Sequence, residues 1–420
     1  MRHTILTFLT EVRQDKIDEL RALVNEIGKD IPGNRHIPFT SFRLLHFASL
    51  VLHEDPGFSP LLVFESNFDG PLDAYLDELY DRASEALHRI YGCCREYGAK
   101  SPGDRAQILS YLRAHVLRPS ASYVGNAGRT LGRIRQESAL RDSVENCLDD
   151  FVKRREGGSS PDSIRQKLQA FVRGQSELRW ALQSQPRQTA VEHFMPWVRI
   201  LAAALIALLL LPLLIPILII GVIVLRIKET RDSVAPNIED QDHTKQLVER
   251  EDRTHIVQNH MASVTLVKPG LFRQITLRFA LWLANLVAGV STNGTLLGIP
   301  SIHFAHWSII DNGKRLLFLS NFDGSWENYL DDFIDKGSRG LTAVWSNTAG
   351  FPRTRFLFFG GARDGARFKA LARASQRYTN AWYSAYPDLT ARTIDNNSTM
   401  RNALFSSLDD TAIREWLWRF

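Results

Sequence analysis

Ser66-Asn67-Phe68-Asp69-Gly70 and Ser320-Asn321-Phe322-Asp323-Gly324 are the same five residues met twice in one chain. The identity spreads outward from them. Upstream, His46-Phe47-Ala48 recurs as His303-Phe304-Ala305; downstream, Tyr75-Leu76-Asp77 recurs as Tyr329-Leu330-Asp331 at unchanged spacing. Further on, Tyr123, Thr130, Ile134, Ser138, Arg141 and Leu148-Asp149-Asp150 match Tyr383, Thr390, Ile394, Ser398, Arg401 and Leu408-Asp409-Asp410 without a gap. Collinear matches over so long a stretch mean an internal duplication.

Each half follows one plan. Residues 3–12 are rich in Thr, Ile, Leu and Phe, as a strand would be. Lys16 to Ile27 places Ile17, Leu20, Leu23 and Ile27 at helical spacing. Leu44 to Leu52 and Leu61 to Glu65 predict a hairpin about Asp55-Pro56-Gly57. Its counterpart is Ile302 to Ile310 and Arg315 to Leu319 about Asp311-Asn312-Gly313, where Asn-Gly is a strong turn signal. Pro71 to Ile90 and Trp326 to Trp345 predict a second helix, with Pro71 at the first helical position.

Strand-helix-strand-strand-helix, with a fourth strand later, is the ferredoxin-like plan. Two such units resemble the dimeric α+β barrel superfamily, in which two sheets pack face to face; the resemblance rests on element order over most of both halves. The expected fold is therefore α+β: two tandem ferredoxin-like repeats, a pseudo-dimeric α+β barrel, separated by a membrane-embedded helical segment. The boundaries are 1–150 for the first repeat, 151–196 for a helical linker, 197–228 for the hydrophobic membrane segment, 229–255 for a charged linker and 256–420 for the second repeat. Gly157-Gly158-Ser159-Ser160-Pro161 marks the break after the first repeat.

The membrane expectation comes from Ile200 to Leu225, which holds no charged residue and is almost wholly Leu, Ile, Val and Ala. A helix over it would be roughly 39 Å long, against a hydrocarbon core of about 30 Å. Arg199 bounds it on one side, Arg226 and Lys228 on the other, and Trp197 stands where an interfacial aromatic would. Pro212 and Pro216 interrupt it, each removing a backbone hydrogen bond. The run reads as one kinked span or as two arms of a re-entrant hairpin. Fused duplicates pair with each other, and a single span would separate them, so the hairpin is favoured with both halves on the cytoplasmic side. Leu271 to Val290 is a second apolar helix, charged only at Arg273 and Arg278, that fits a bilayer surface or an interface between halves.

The chain has 420 residues with a net charge of +5, and its acidic and basic residues are well mixed. That gives no nucleic-acid signature; the partners expected are the lipid bilayer and, within the chain, the other repeat. Cys93, Cys94 and Cys147 form neither a disulfide framework nor a metal-ligand spacing, and read as reduced thiols.

Candidate chemistry is sparse. The repeated motif ends a strand and opens a helix, so Asn67, Asp69, Asn321 and Asp323 serve as turn and cap residues or, alternatively, as ligand-binding groups. As caps, Asp69 and Asp323 should respond alike, each Ala substitution costing roughly 0.5–2 kcal/mol. By alternation His46 shares a face with Ala48, Leu50 and Leu52, and His303 with Ala305, Trp307 and Ile309, while His306 faces the other way. Each of these two histidines is a hydrogen-bonded core residue or, alternatively, a ligand for haem or a metal inside the barrel. Haem enters because some dimeric α+β barrel proteins, notably dye-decolorizing peroxidases, bind it. Gly361-Ala362-Arg363-Asp364-Gly365 looks like their Gly-x-x-Asp-Gly motif, in which the Asp handles peroxide, but no histidine follows Asp364. Ser346, Asn347, Thr348 and Arg353 form a polar stretch suited to an oxygen-rich or anionic small molecule, or else to a capped helix end. No Ser-His-Asp order, phosphate loop or zinc spacing is present, so no metal site is expected. Two functions remain: an enzyme or enzyme accessory acting on a lipophilic substrate, and a non-catalytic membrane-bound scaffold or lipid-binding module. The first needs a polar cluster in a cavity between the sheets; the second needs a packed interface.

Overall fold

In the first half, a Thr-, Leu- and Phe-rich stretch forms β1 (His3–Glu11), and apolar residues at helical spacing form α1 (Ile17–Lys29), which buries Ile17, Leu20, Leu23, Val24 and Ile27. β2 (Leu45–His53), β3 (Leu61–Asp69), α2 (Leu72–Tyr91), α3 (Arg105–Ala114), β4 (Val116–Leu117), β5 (Ala121–Val124) and α4 (Leu131–Lys153) follow. Pro71 stands one residue ahead of α2 in extended conformation, not inside it. The middle of the chain is helical: α5 (Pro161–Gly174), α6 (Ala190–Leu209), α7 (Leu211–Arg231) and α8 (Gln241–Asp252). The second half runs β6 (Gln258–Leu266), α9 (Leu271–Val290), β7 (Ile302–Ile310), β8 (Arg315–Asp323), α10 (Trp326–Trp345), β9 (Thr354–Arg355), β10 (Phe359–Gly360), α11 (Gly365–Ser375), β11 (Gln376–Arg377), β12 (Ala381–Ser384), α12 (Ala391–Leu404) and α13 (Asp410–Leu417). This computed structural model describes residues 3–153, 160–183, 190–236, 240–252, 257–290, 295–296 and 298–420. Gly157, Gly158 and Ser159 of the expected break lie outside the described residues.

The strands make two antiparallel five-stranded sheets, in the orders β12-β2-β3-β1-β4 and β11-β6-β8-β7-β5. Each sheet contains one strand from the other half. β12 pairs with β2, setting Tyr383 opposite Ala48, and β5 pairs with β7, setting Tyr123 opposite Ala305. The duplicated residues thus take equivalent places, but across the molecule. At the end of the crossing strand, Gly125 N–H donates to the His303 carbonyl at 2.8 Å. A Cβ on Gly125 would lie 2.0 Å from the Ile302 carbonyl oxygen, so no other residue fits without movement.

The outer face of each sheet is covered by its own helices, α1 and α2 on one and α9 and α10 on the other, with large apolar cores beneath them. The inner faces meet each other. Val51, Leu61, Val63, Ala262, Val264, Ile310, Leu317 and Leu319 form an apolar layer between the sheets, and Phe47, Phe304, Trp382 and Tyr386 form a second near the opposite end. Within the expected helical linker, α5 and the turn after it join a helical layer: Leu168, Val172, Leu178 and Ala181 pack with Leu140 and Val144 of α4, Leu404 of α12 and Trp416 of α13.

The apolar run does not form one long helix or a hairpin. It divides at Leu210, between α6 and α7, with Pro212 in the first turn of α7 and Pro216 inside it. Leu210 keeps helical angles (φ −86°, ψ −3°) and its N–H still bonds to the Ile206 carbonyl at 3.0 Å, so the junction is a kink rather than a reversal. Among the described residues, no helix is long and apolar enough to cross a membrane.

Candidate functional site

β3 carries Asp69, Asn67 and Glu65 at alternate positions, so all three side chains project between the sheets. Three polar clusters fill that space. The first is centred on Asp69, which is buried at the end of β3. Its Oδ2 accepts the Leu131 N–H at 2.7 Å, which caps α4 rather than the adjacent α2. Its Oδ1 lies 3.1 Å from His3 Nδ1 and 3.1 Å from His46 Nε2. Tyr386, from the other half, sits with its hydroxyl 3.0 Å from His46 Nδ1. The second half repeats the device: Asp323 Oδ2 accepts the Ala391 N–H at 2.8 Å, capping α12, and Oδ1 lies 2.7 Å from His303 Nε2.

Alternation misplaced both histidines. The register slips between Leu45 and Phe47 in β2, and between Ile302 and Phe304 in β7. A bulge adds one residue to its strand and turns a side chain away from the regular alternation. His46 and His303 are those residues, so they leave the helix-facing side and meet the carboxylates between the sheets. His306, on the regular part of β7, points inward as well and belongs to the second cluster.

That second cluster surrounds Glu65, which is fully buried. His260 Nε2 lies 3.1 Å from Oε2 and His306 Nδ1 3.6 Å from Oε1. Ser49 Oγ, Asn67 Nδ2 and Asn321 Nδ2 donate to the same carboxylate at 3.1, 2.9 and 3.4 Å. Trp382 Nε1 holds the Asn321 carbonyl at 2.8 Å. The third cluster, at the far end, joins the halves through Asp55, whose carboxylate meets Arg315 at 3.1 Å and Arg377 at 2.9 Å, with His53 at 2.8 Å.

The electrostatics follow from burial and pairing. Burial alone would raise the Glu65 carboxyl; the bonds from His260 and Asn67 and the nearby His306 outweigh it and bring it down to about 2. Burial likewise opposes ionisation of Asp69, but His3, His46 and the Leu131 N–H hold it well below the usual range. His46 and His306 are lowered chiefly by their own burial, and so stay neutral. Tyr386 is driven well above its ordinary value by burial and then by Asp69 and Asp323, so it keeps its proton.

His3, His46 and Asp69 bring three possible metal ligands within 4.8 Å of one another, a grouping the sequence spacing did not suggest. The outer nitrogen of His3 decides how this set is used. Gly128 N–H donates to His3 Nε2 at 3.1 Å, so a neutral His3 carries its proton on Nδ1, facing Asp69. A metal on Nδ1 would need that proton moved to Nε2, against the Gly128 N–H. The arrangement therefore favours shared protons over an ion.

The other sequence candidates fall elsewhere. Ser346 and Asn347 are buried at the C-terminal end of α10, where Asn347 Nδ2 donates to the Ala343 carbonyl at 3.0 Å and its Oδ1 accepts from Thr276 at 2.6 Å. Asp364 caps α11 through the Arg367 N–H at 3.4 Å and pairs with the Arg367 guanidinium at 2.8 Å. The Gly-x-x-Asp-Gly likeness is thus a tight turn and helix cap. A cavity of about 30 Å³ between β6, β8, α10 and α11 has room for little more than water, where small-molecule pockets take about 300–1,000 Å³. Arg353 is exposed. His3, Glu65, His260, Gln258 and Tyr386 were missed; only Glu65, two residues before Asn67 on a strand, carried a local signal. Comparison with family models, with curated proteins and with solved structures finds no match, so geometry alone carries the functional reading.

Proposed function

We propose that the protein is a non-catalytic, membrane-associated scaffold of the dimeric α+β barrel superfamily, with both repeats on the cytoplasmic side of one bilayer. One observation carries this: α6, α7 and α9 expose many large apolar side chains. Leu201 is 67% exposed, Leu209 72%, Ile220 61% and Leu271 72%, with Ile275, Phe279 and Trp282 beside Leu271 on α9. Patches of this extent mark a membrane or partner surface, since water alone leaves them unfavourably solvated. The strand exchange supports insertion without crossing, because two halves that share sheets must lie on one side. The kinked α6–α7 pair, with apolar residues exposed at consecutive positions from Ile217 to Ile220, then embeds in the bilayer from that one side. The interior supports the scaffold reading, since the inter-sheet space holds buried polar clusters and two apolar layers. The free thiols Cys93, Cys94 and Cys147 suit a reducing compartment.

A second reading, an enzyme on an oxygen-rich or lipophilic substrate, draws on one feature. A cleft of about 1280 Å³ lies between α1, α8 and β12, lined by Arg21, Lys29, Arg135, Trp382 and Tyr383. It is large enough for a ligand, but none of the three buried clusters centres on it.

The test is flotation of the full chain with phosphatidylcholine vesicles, beside a variant carrying Leu201→Ser, Leu209→Ser, Ile220→Ser and Phe279→Ser. The unaltered protein should float and the variant should not, while both keep the same melting temperature. A protein that stays at the bottom of the gradient would remove the membrane reading.

A further inference from the structure

The chain turns between β9 and β10 through Phe356 and Leu357, both at left-handed φ, 51° and 67°. Such angles are unfavourable for bulky residues and persist only where the surroundings impose them. Glu229, buried near the C-terminal end of α7, imposes them: its carboxylate accepts from the Phe356 N–H at 3.0 Å, the Leu357 N–H at 2.8 Å and the Thr354 hydroxyl at 3.2 Å. Arg226 of α7 adds a bond to the Thr354 carbonyl at 3.3 Å and lies 5.8 Å above the Phe356 ring. The hairpin is thereby fastened to the end of the apolar helix.

What it displays is aromatic and cationic. Phe356 and Phe359 are exposed at its tip. Arg353, Arg355 and Arg363 are exposed beside them, and Arg339 lies 5.7 Å over the Phe359 ring. Among the described residues none of these four arginines has a carboxylate partner, whereas their neighbours Lys336 and Arg367 each do. Unpaired guanidinium groups around exposed rings are complementary to phosphate at an apolar boundary. Aromatic side chains settle at that same depth.

We propose that the β9–β10 hairpin is an anionic-lipid contact, in which Phe356 and Phe359 enter the headgroup boundary and Arg339, Arg353, Arg355 and Arg363 meet lipid phosphates. This rests on the membrane reading above and names the lipid class it prefers. Each basic residue near an anionic surface contributes about 1 kcal/mol, which is roughly fivefold in partition coefficient.

The experiment is co-sedimentation of the full chain with vesicles of phosphatidylcholine alone and of phosphatidylcholine with phosphatidylserine. The unaltered protein should partition at least a hundredfold more strongly onto the anionic vesicles. Arg353→Gln and Arg363→Gln should each remove about fivefold of that preference, and the fourfold Arg→Gln variant nearly all of it, with binding to neutral vesicles unchanged. The fourfold Arg→Lys variant should keep most of it. Equal binding of the unaltered protein to both vesicles, as expected if the hairpin instead docks a protein, would overturn the proposal and leave the membrane reading standing. An anionic preference that the fourfold Gln variant leaves undiminished would overturn it too. Binding to neither vesicle removes both readings at once.

Discussion

The Asp69 and Asp323 ends of the inter-sheet space come from one ancestral motif and differ by a few side chains. Both aspartates end the third strand of their repeat, both meet a bulged histidine, and both cap a helix that follows a strand donated to the other sheet. By strand pairing, His3 opposite Asp69 corresponds to Gln258 opposite Asp323. The duplicated spacing that aligns Tyr123 with Tyr383 sets Asn126 against Tyr386. Glu65, paired with Thr7, stands where the second repeat has Leu319 paired with Ala262. The helix cap is therefore the shared structural device, and the titratable groups around it are unequal: His3 and Glu65 belong to the first repeat, His260 and His306 to the second. Equal motifs do not give equal environments once partners arrive from elsewhere.

That asymmetry should be largest in stability. Asp69→Ala leaves His3, His46 and the Leu131 N–H without their common acceptor in a buried site, and should cost about 3–5 kcal/mol. Asp323→Ala removes one histidine partner and one cap at a slightly exposed position, and should cost about 2–3 kcal/mol. Urea titrations of both variants measure the gap. Equal losses would restore the expectation drawn from the motif alone, that both aspartates are interchangeable caps.

Acid should act next, and through the first repeat. Glu65 falls from 4.5 to about 2 on folding, so the stability it contributes is present above about pH 4.5 and is lost as pH falls toward 2. A lowering of that size corresponds to about 3 kcal/mol. His46, lowered from 6.5, works in the same direction from higher pH, because it must charge on unfolding. Melting temperature measured from pH 7 down to pH 3 should drop steeply for the unaltered protein and more gently for Glu65→Gln. An unchanged slope in that variant would place the acid sensitivity elsewhere.

The smallest effect compares the two crossing strands. Gly125 aligns with Ala385, and both donate their N–H to the carbonyl of a bulged histidine at 2.8 Å. A methyl is native at Ala385, yet at Gly125 it would lie 2.0 Å from the Ile302 carbonyl oxygen. Gly125→Ala should cost about 1–3 kcal/mol by overpacking. A neutral result, read by thermal melting, would show that the two crossings are closer to equivalent than these contacts indicate.

Much of the fold was legible because it is local. Strand and helix periods identify β1, α1, the hairpins and α10, and the repeated pentapeptide locates the ends of β3 and β8. The site was legible only in part. His46, Asp69, His303 and Asp323 stand out by repetition, but their pairing with each other does not, because a bulge of one residue reverses the face that alternation assigns. The polar stretch at Ser346 and Asn347 and the turn at Asp364 looked alike in sequence to binding residues because caps and ligands use the same side chains.

The sequence by itself determined the duplication, the α+β element order, and the presence of an apolar run too long for an ordinary buried helix. Tertiary structure alone decided that the halves exchange strands, and that exchange sets the functional geometry. Tyr386 reaches His46 across 340 residues of chain, and His260 reaches Glu65 across 195. No periodicity of 2 or 3.6 residues carries information over such distances; only closing the two sheets on each other brings those groups within hydrogen-bonding range. The same closure joins the two repeats through shared sheets, where the apolar run taken alone allowed them to lie apart.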